Sequence, residues 1–285
     1  MRLGTRTVLL TVTALVMFAG NALLCRAAMR PGLIDVATFT GVRLGAGAIA
    51  LVGIALARGS RPREGSWASS LVLVVYAITF SLAYLRIGAS AGALILCGAI
   101  QVTMIGWGVI RGERPSAIEL VGLGVAVAGL LCLTLPGTRA VDLTGAGLMA
   151  VSGVLWGVYS LRGRHARLPV AANADNFVRS LPFAVVFVSG LIGASHVTST
   201  GLELAAISGA LTTGVGYILW YAALPALTAT RAAIVQLATP VLAGIGATLL
   251  LDEPLTVRIV GAGALILGGV ALAIVTTPRR ADDRG

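Results

Sequence analysis

The sequence predicts an all-α membrane protein: ten transmembrane helices, arranged as two inverted five-helix repeats around a central cavity. Three observations predict it. The 285 residues are 57% hydrophobic and only 11% charged, with a mean hydropathy of +0.96; soluble domains run to about 45–50% apolar and about 25% charged residues. The apolar residues fall into ten segments, each near the roughly 20 residues a helix needs to cross the hydrocarbon core. Landmarks of the first half recur in the second at a fixed offset.

The spans are expected at 7–28, 34–57, 67–86, 90–110, 117–135, 143–161, 176–195, 202–222, 229–250 and 257–276. The first resembles a signal peptide, Arg2 being followed by an apolar run, but no small residue precedes Cys25 as in a lipoprotein signal, and nine further apolar segments follow. It reads as an uncleaved span. Connections are short, several of them only turns, such as Gly88 and Leu224–Pro225.

All 21 basic residues are Arg. Without Lys there is no Walker A phosphate loop and no Schiff-base chemistry. The net charge of +10 does not form a nucleic-acid patch, because the Arg residues punctuate the apolar segments. With the N-terminus inside, thirteen connecting Arg lie inside (Arg2, Arg6, Arg58, Arg61, Arg63, Arg111, Arg114, Arg162, Arg164, Arg167, Arg279, Arg280, Arg284) and four outside (Arg30, Arg86, Arg139, Arg258). The positive-inside rule therefore places both termini in the cytoplasm of a multi-pass protein of the cytoplasmic membrane. Cys25, Cys97 and Cys132 are dispersed in apolar segments, and His165 and His196 fall on opposite sides. No metal site, cofactor or Ser/His/Asp set is expected, so the chain reads as no enzyme.

Residues 91–133 lie over 230–272 without a gap at an offset of 139, with ten of 43 positions identical, among them Ala93/Ala232, Pro115/Pro254, Gly122/Gly261 and Gly129/Gly268. Each copy holds an apolar span, an acidic-Pro turn (Glu113-Arg114-Pro115; Asp252-Glu253-Pro254) and a Gly-x-Gly span. Arg43 of span two corresponds to Arg179 of span seven, and Phe18-Ala19-Gly20-Asn21 to Trp156-Gly157-Val158-Tyr159. Five is odd, so the copies, 1–137 and 138–285, sit upside down to one another. Inverted repeats characterise secondary transporters.

On this duplicated layout, the paired Arg and the turns Arg111-Gly112-Glu113-Arg114-Pro115-Ser116 and Leu251-Asp252-Glu253-Pro254-Leu255-Thr256, the chain resembles the ten-span EamA branch of the drug/metabolite transporter superfamily. The second turn departs from the family pattern, with Asp252 where Gly is usual. The resemblance implies a bundle that moves small organic solutes through a cavity lined chiefly by spans one, three, four, six, eight and nine, with five and ten peripheral.

Polar groups buried in lipid are costly and face a cavity or another helix. Asn21, Gln101 and Gln236 sit in long apolar runs and could bind a solute's amine or carboxylate, or tie helices together. Pro240, four residues after Gln236, can kink span nine toward the cavity. Arg43 has two readings, anion binding or gating, and a structural tie to carbonyls or an interface; the structural one is preferred for it and for Arg179, which stands one turn from Asp175. Trp156, Tyr159, Tyr76 and Tyr217 fall where the cavity is expected. Tyr84, Trp107, Trp220 and Tyr221 lie near span ends and read as an interfacial belt. Glu113, Pro115, Glu253 and Pro254 are structural turn residues.

The expected function is secondary transport of small metabolites or drug-like solutes by alternating access, export being preferred and import or facilitated movement the alternative. A membrane enzyme or a non-transport membrane protein is the less favoured class. The expected partners are a solute and lipid. No span carries a mid-membrane carboxylate, so proton antiport and facilitated exchange remain equally compatible.

Overall fold

The computed structural model describes residues 4–29, 32–87, 89–134, 142–190, 196–250 and 256–275. Glu253 and Pro254 lie outside the described residues. Among the described residues the fold is helical, with one isolated antiparallel bridge, Ile34 to Val197.

The first seven helices are α1 (Thr5–Met29), α2 (Val36–Ala57), α3 (Trp67–Tyr84), α4 (Ala89–Ile110), α5 (Ala117–Thr134), α6 (Leu143–Gly163) and α7 (Pro169–Ser189). The eighth rod is composite: α8 (Ser199–Ile207), a π-helical stretch over Ser208–Val215, and α9 (Gly216–Ala223). The ninth is broken into α10 (Ala229–Gln236) and α11 (Thr239–Leu250), and α12 (Val257–Val275) is the last. Short polar residues set the starts. Asp35, Ser66, Asp142, Thr198 and Thr228 each accept a hydrogen bond from the backbone N–H three residues on, filling donors that the first helical turn leaves unpaired. Gly112, at φ +86°, turns the chain out of α4, a conformation that costs glycine nothing.

Among the described residues nine rods are long and apolar enough to cross a membrane. The tenth, α7, falls short because Asn173, Asp175, Asn176 and Arg179 crowd its first half. Here the sequence reading of 176–195 is corrected: the helix begins seven residues earlier, at Pro169. A reading by apolar content starts the span after the polar residues. The bundle starts it before them because their bonding groups are met internally. Asp175 accepts from the Gly65 N–H (2.9 Å) and from Arg179 Nε (2.8 Å), Asn176 accepts from the Ser66 N–H (3.0 Å), and Asn173 accepts from the Tyr159 hydroxyl (2.9 Å).

The main helix pairings are α5 with α12, α2 with α7, α3 and α4 with α6, α1 with α9 and α11, α2 with the π stretch, and α4 with α10. Small residues permit the closest of them. A Cβ at Gly122 would stand 2.6 Å from the Gly269 carbonyl oxygen, and one at Gly153 2.6 Å from that of Leu96, so α5 meets α12, and α6 meets α4, backbone to backbone.

Candidate functional site

A cavity of about 280 Å³ lies inside the bundle, at the small end of the roughly 300–1,000 Å³ of small-molecule sites. Its inner wall is aromatic. Phe18 of α1 meets Trp156 of α6 edge-on at 5.2 Å between centroids, and Trp156 packs against Tyr76 of α3 (5.3 Å) and Tyr217 of α9 (4.8 Å). The Trp156 indole N–H donates to Gln236 Oε1 at 2.6 Å, while Gln236 Nε2 donates to the Ala232 carbonyl (3.0 Å) and to Met104 Sδ (3.3 Å). Asn21 Oδ1 accepts from the hydroxyls of Ser208 (2.6 Å) and Thr213 (3.3 Å), both in the π stretch. Pro240 follows the break at Leu237–Ala238 and also lines the cavity.

Of the residues singled out from sequence, the fold thus brings Asn21, Tyr76, Trp156, Tyr217, Gln236 and Pro240 to one cavity. Gln101, Tyr159 and Arg43 stand outside its lining. Gln101 ties α4 to α10 by donating to the Ala233 carbonyl at 2.8 Å. Tyr159 joins α6 to α7 through Asn173 and accepts at its backbone carbonyl from the Tyr221 hydroxyl. Arg43 lies buried in α2, its Cζ 5.8 Å from the Phe39 ring.

Arg26, Phe80, Thr134 and Arg258, which sequence reading did not single out for the cavity, and Tyr84, which it assigned to the interfacial belt, form the outer part of the lining. Leu133, Thr134, Arg258 and Ile259 also bring spans five and ten to a cavity from which they were expected to be remote. The belt assignment fails for Trp220 and Tyr221, which are 0% and 2% exposed; Trp220 Nε1 donates to Ser160 Oγ at 3.0 Å. Trp107 is 43% exposed with the Arg111 guanidinium 4.7 Å above its ring, as an interfacial residue would be.

The cavity reaches the last turns of α1 (Arg26), α3 (Tyr84) and α5 (Thr134) and the start of α12 (Arg258), one end of the bundle. At the other end, side chains tie the helices together. Beyond Gly112, the Glu113 carboxylate accepts from the Ala229 N–H (2.9 Å) and the Thr230 N–H (3.2 Å) at the first turn of α10, and pairs with Arg164 at 3.2 Å. Partial burial opposes its charge, but the two backbone donors and Arg164 outweigh burial and hold the carboxyl below its ordinary value. Pro115 follows, outside the helices, and Ser116 and Glu119 form a capping box at the start of α5. Glu119 is also paired with Arg231 at 2.8 Å, both buried. Arg162 Nε donates to Ser69 Oγ (2.8 Å), tying α6 to α3 at the same end.

Known proteins resemble this chain over most of its length. Residues 143–275 match the model of the EamA-like transporter family. An uncharacterized Pseudomonas aeruginosa protein is 46% identical over 282 residues, 98% of each chain. An uncharacterized transporter of Archaeoglobus fulgidus is 27% identical over 230 residues, 75% of this chain and 78% of its own. A probable terminal-alkyne amino-acid exporter of Streptantibioticus cattleyicolor is 27% identical over 263 residues, 86% of each chain. One solved crystal structure superposes with a TM-score of 0.78 at 19% identity, over 94% of this chain and 97% of the other, and shows a shared fold.

Proposed function

Because the chain belongs to the EamA-like transporter family, and is therefore a multi-pass membrane transporter of a small-molecule solute, we propose that it exports a small, partly apolar organic solute across the cytoplasmic membrane by alternating access. The observation that carries this reading is a cavity that reaches one end of the bundle while carboxylate caps and ion pairs tie the other end shut. A channel needs both ends open at once; a carrier needs one gate closed at a time. With the termini inside, as the Arg bias argues, the tied end is cytoplasmic and the conformation faces outward.

Two inverted repeats, 1–137 and 138–285, supply the second conformation in this reading. The helix pairings support the division, because exchanging each rod of the first half for its counterpart in the second maps the pairings onto themselves. Span three on six becomes span eight on one, span four on six becomes nine on one, and two on seven and five on ten map to themselves. Exchanging the conformations of the halves would then close the open end and open the tied one. The relative named as a probable terminal-alkyne amino-acid exporter supports the outward direction and a solute the size of an amino acid.

Solute counterflow into proteoliposomes tests the reading. Saturable counterflow of at least one small organic solute is expected. A Glu113→Cys, Ala229→Cys pair joined by a bifunctional thiol reagent should stop it reversibly, since that link holds the tied end shut. Counterflow that persists through the cross-link sinks alternating access, and absence of movement for every solute tried sinks transport itself.

A further inference from the structure

We propose that Asn21 selects the solute by its polar group: the π stretch fixes the Asn21 carboxamide so that its N–H donors face the cavity and receive a carbonyl or carboxylate oxygen. The proposal rests on the transport reading above and names the substrate class. Phe18, Asn21 and Ala22, three and four residues apart, put one face of α1 on the cavity. Asn21 Oδ1 is spent, accepting from the Ser208 and Thr213 hydroxyls. The two N–H donors of a carboxamide sit on its other atom, Nδ2. Among the described residues Nδ2 has no hydrogen-bond partner, and it stays accessible from the cavity that Asn21 lines.

The π winding lets two hydroxyls reach one oxygen. Ser208 and Thr213 are five residues apart. In an α-helix of 3.6 residues per turn such residues point about 140° apart. In a π-helix, whose bonds join residues five apart, they stand nearly one above the other. The stretch is held from outside as well. Gly20 brings α1 against it, a Cβ there standing 3.3 Å from Thr212 Cγ2, and a Cβ at Gly209 would collide with the Arg43 carbonyl oxygen, which seats α2 directly on it. Ser208 and Thr213 are thus positioning residues for Asn21. Other polar groups of the lining are spent: the Trp156 and Gln236 donors go to Gln236, Ala232 and Met104, and the Thr134 hydroxyl donates to the Leu130 carbonyl. No Asp or Glu stands among the described lining residues, so a solute's ammonium group meets no carboxylate there. A solute oxygen entering this apolar space gives up hydrogen bonds to water, and Asn21 returns one. Phe18 and Trp156 supply flat apolar surface for the rest of the molecule.

The test is a thermodynamic cycle on the purified full chain in nanodiscs, with binding read by tryptophan fluorescence against empty nanodiscs. 4-Phenyl-2-butanone and 3-phenylpropionate carry the oxygen; 2-methyl-4-phenyl-1-butene, the methylidene isostere of the ketone, lacks it. Partition between water and lipid cancels when each ligand is compared across proteins. Asn21→Leu should weaken the ketone, the carboxylate or both by about fivefold relative to the isostere, the larger fall naming the solute's group. Ser208→Ala with Thr213→Val leaves Asn21 in place but frees its carboxamide, and should lower the same ratio; lost packing alone would weaken all three ligands alike. An oxygen-to-isostere ratio unchanged in either variant, or no binding of either oxygen-bearing ligand to the wild type, overturns the proposal. So does 3-phenylpropylammonium displacing the ketone from the wild type as well as the ketone displaces itself, a result that decides even where a variant does not fold. Counterflow separates this failure from that of the transport reading: saturable counterflow of the ketone and its isostere with the same preference in wild type and Asn21→Leu overturns the role of Asn21 and leaves transport standing.

Discussion

Trp156 and Gln236 show how much one side-chain pair can hold. Their 2.6 Å hydrogen bond joins α6 to α10 at the inner wall of the cavity. Trp156→Phe keeps the ring stacking and removes the donor, leaving the buried Gln236 carbonyl oxygen unpaired. The expected cost is about 1–3 kcal/mol of stability, read as a lower midpoint of thermal unfolding in detergent. Gln236→Leu, which removes the stranded acceptor, should recover part of it in the double variant. Failure of the double variant to recover would mean that the bond itself adds little. At this scale the sequence was only partly legible. A polar amide in an apolar run announces Gln236, Asn21 and Gln101 alike. Whether it faces a cavity or a neighbouring carbonyl depends on helix rotation, and membrane helices are apolar all round, so no amphipathic stripe reveals rotation. The same blindness sent Trp220 and Tyr221 to the interface, when they are buried against Ser160 and Tyr159.

Between elements, the tied end depends on Glu113. Gly112 turns the chain so that this carboxylate meets the first-turn N–H groups of α10, which have no acceptor within the helix and where the helix dipole also favours a negative charge. Its acidity is raised in the fold, so the contribution is fully present above the ordinary carboxyl value of 4.5 and is lost as pH falls through the lower folded value. Wild-type protein should therefore lose thermal stability relative to Glu113→Gln as the pH is lowered below 4.5. Parallel curves for the two proteins would show that the cap is idle. Spans were the most legible elements, because twenty apolar residues leave few alternatives. Only α7 was misplaced, since its burial of Asn173, Asp175 and Asn176 is arranged by partners far away in sequence. The π stretch had no warning in the chain, as its winding answers to Asn21 and Arg43 on other helices.

For the whole molecule, the Arg bias yields a checkable topology. His165 and His196 are exposed at opposite ends of the bundle. Cysteines placed at these positions in a background lacking the native thiols should respond differently to a membrane-impermeant maleimide on intact cells. His196→Cys should label at once and His165→Cys only after permeabilisation; the reverse pattern would invert the proposed orientation.

The pairing of helices also governs how the protein can be made. The principal neighbour of α5 is α12, made five spans later in the chain, and that of α2 is α7. During synthesis the first five helices must wait in the bilayer with Gly122 uncovered and with Arg43 lacking the π stretch that seats it. Assembly of α5 is thus held back until α12 arrives. A chain cut short before α12 leaves α5 as an orphan helix in lipid, a ready target for membrane quality control.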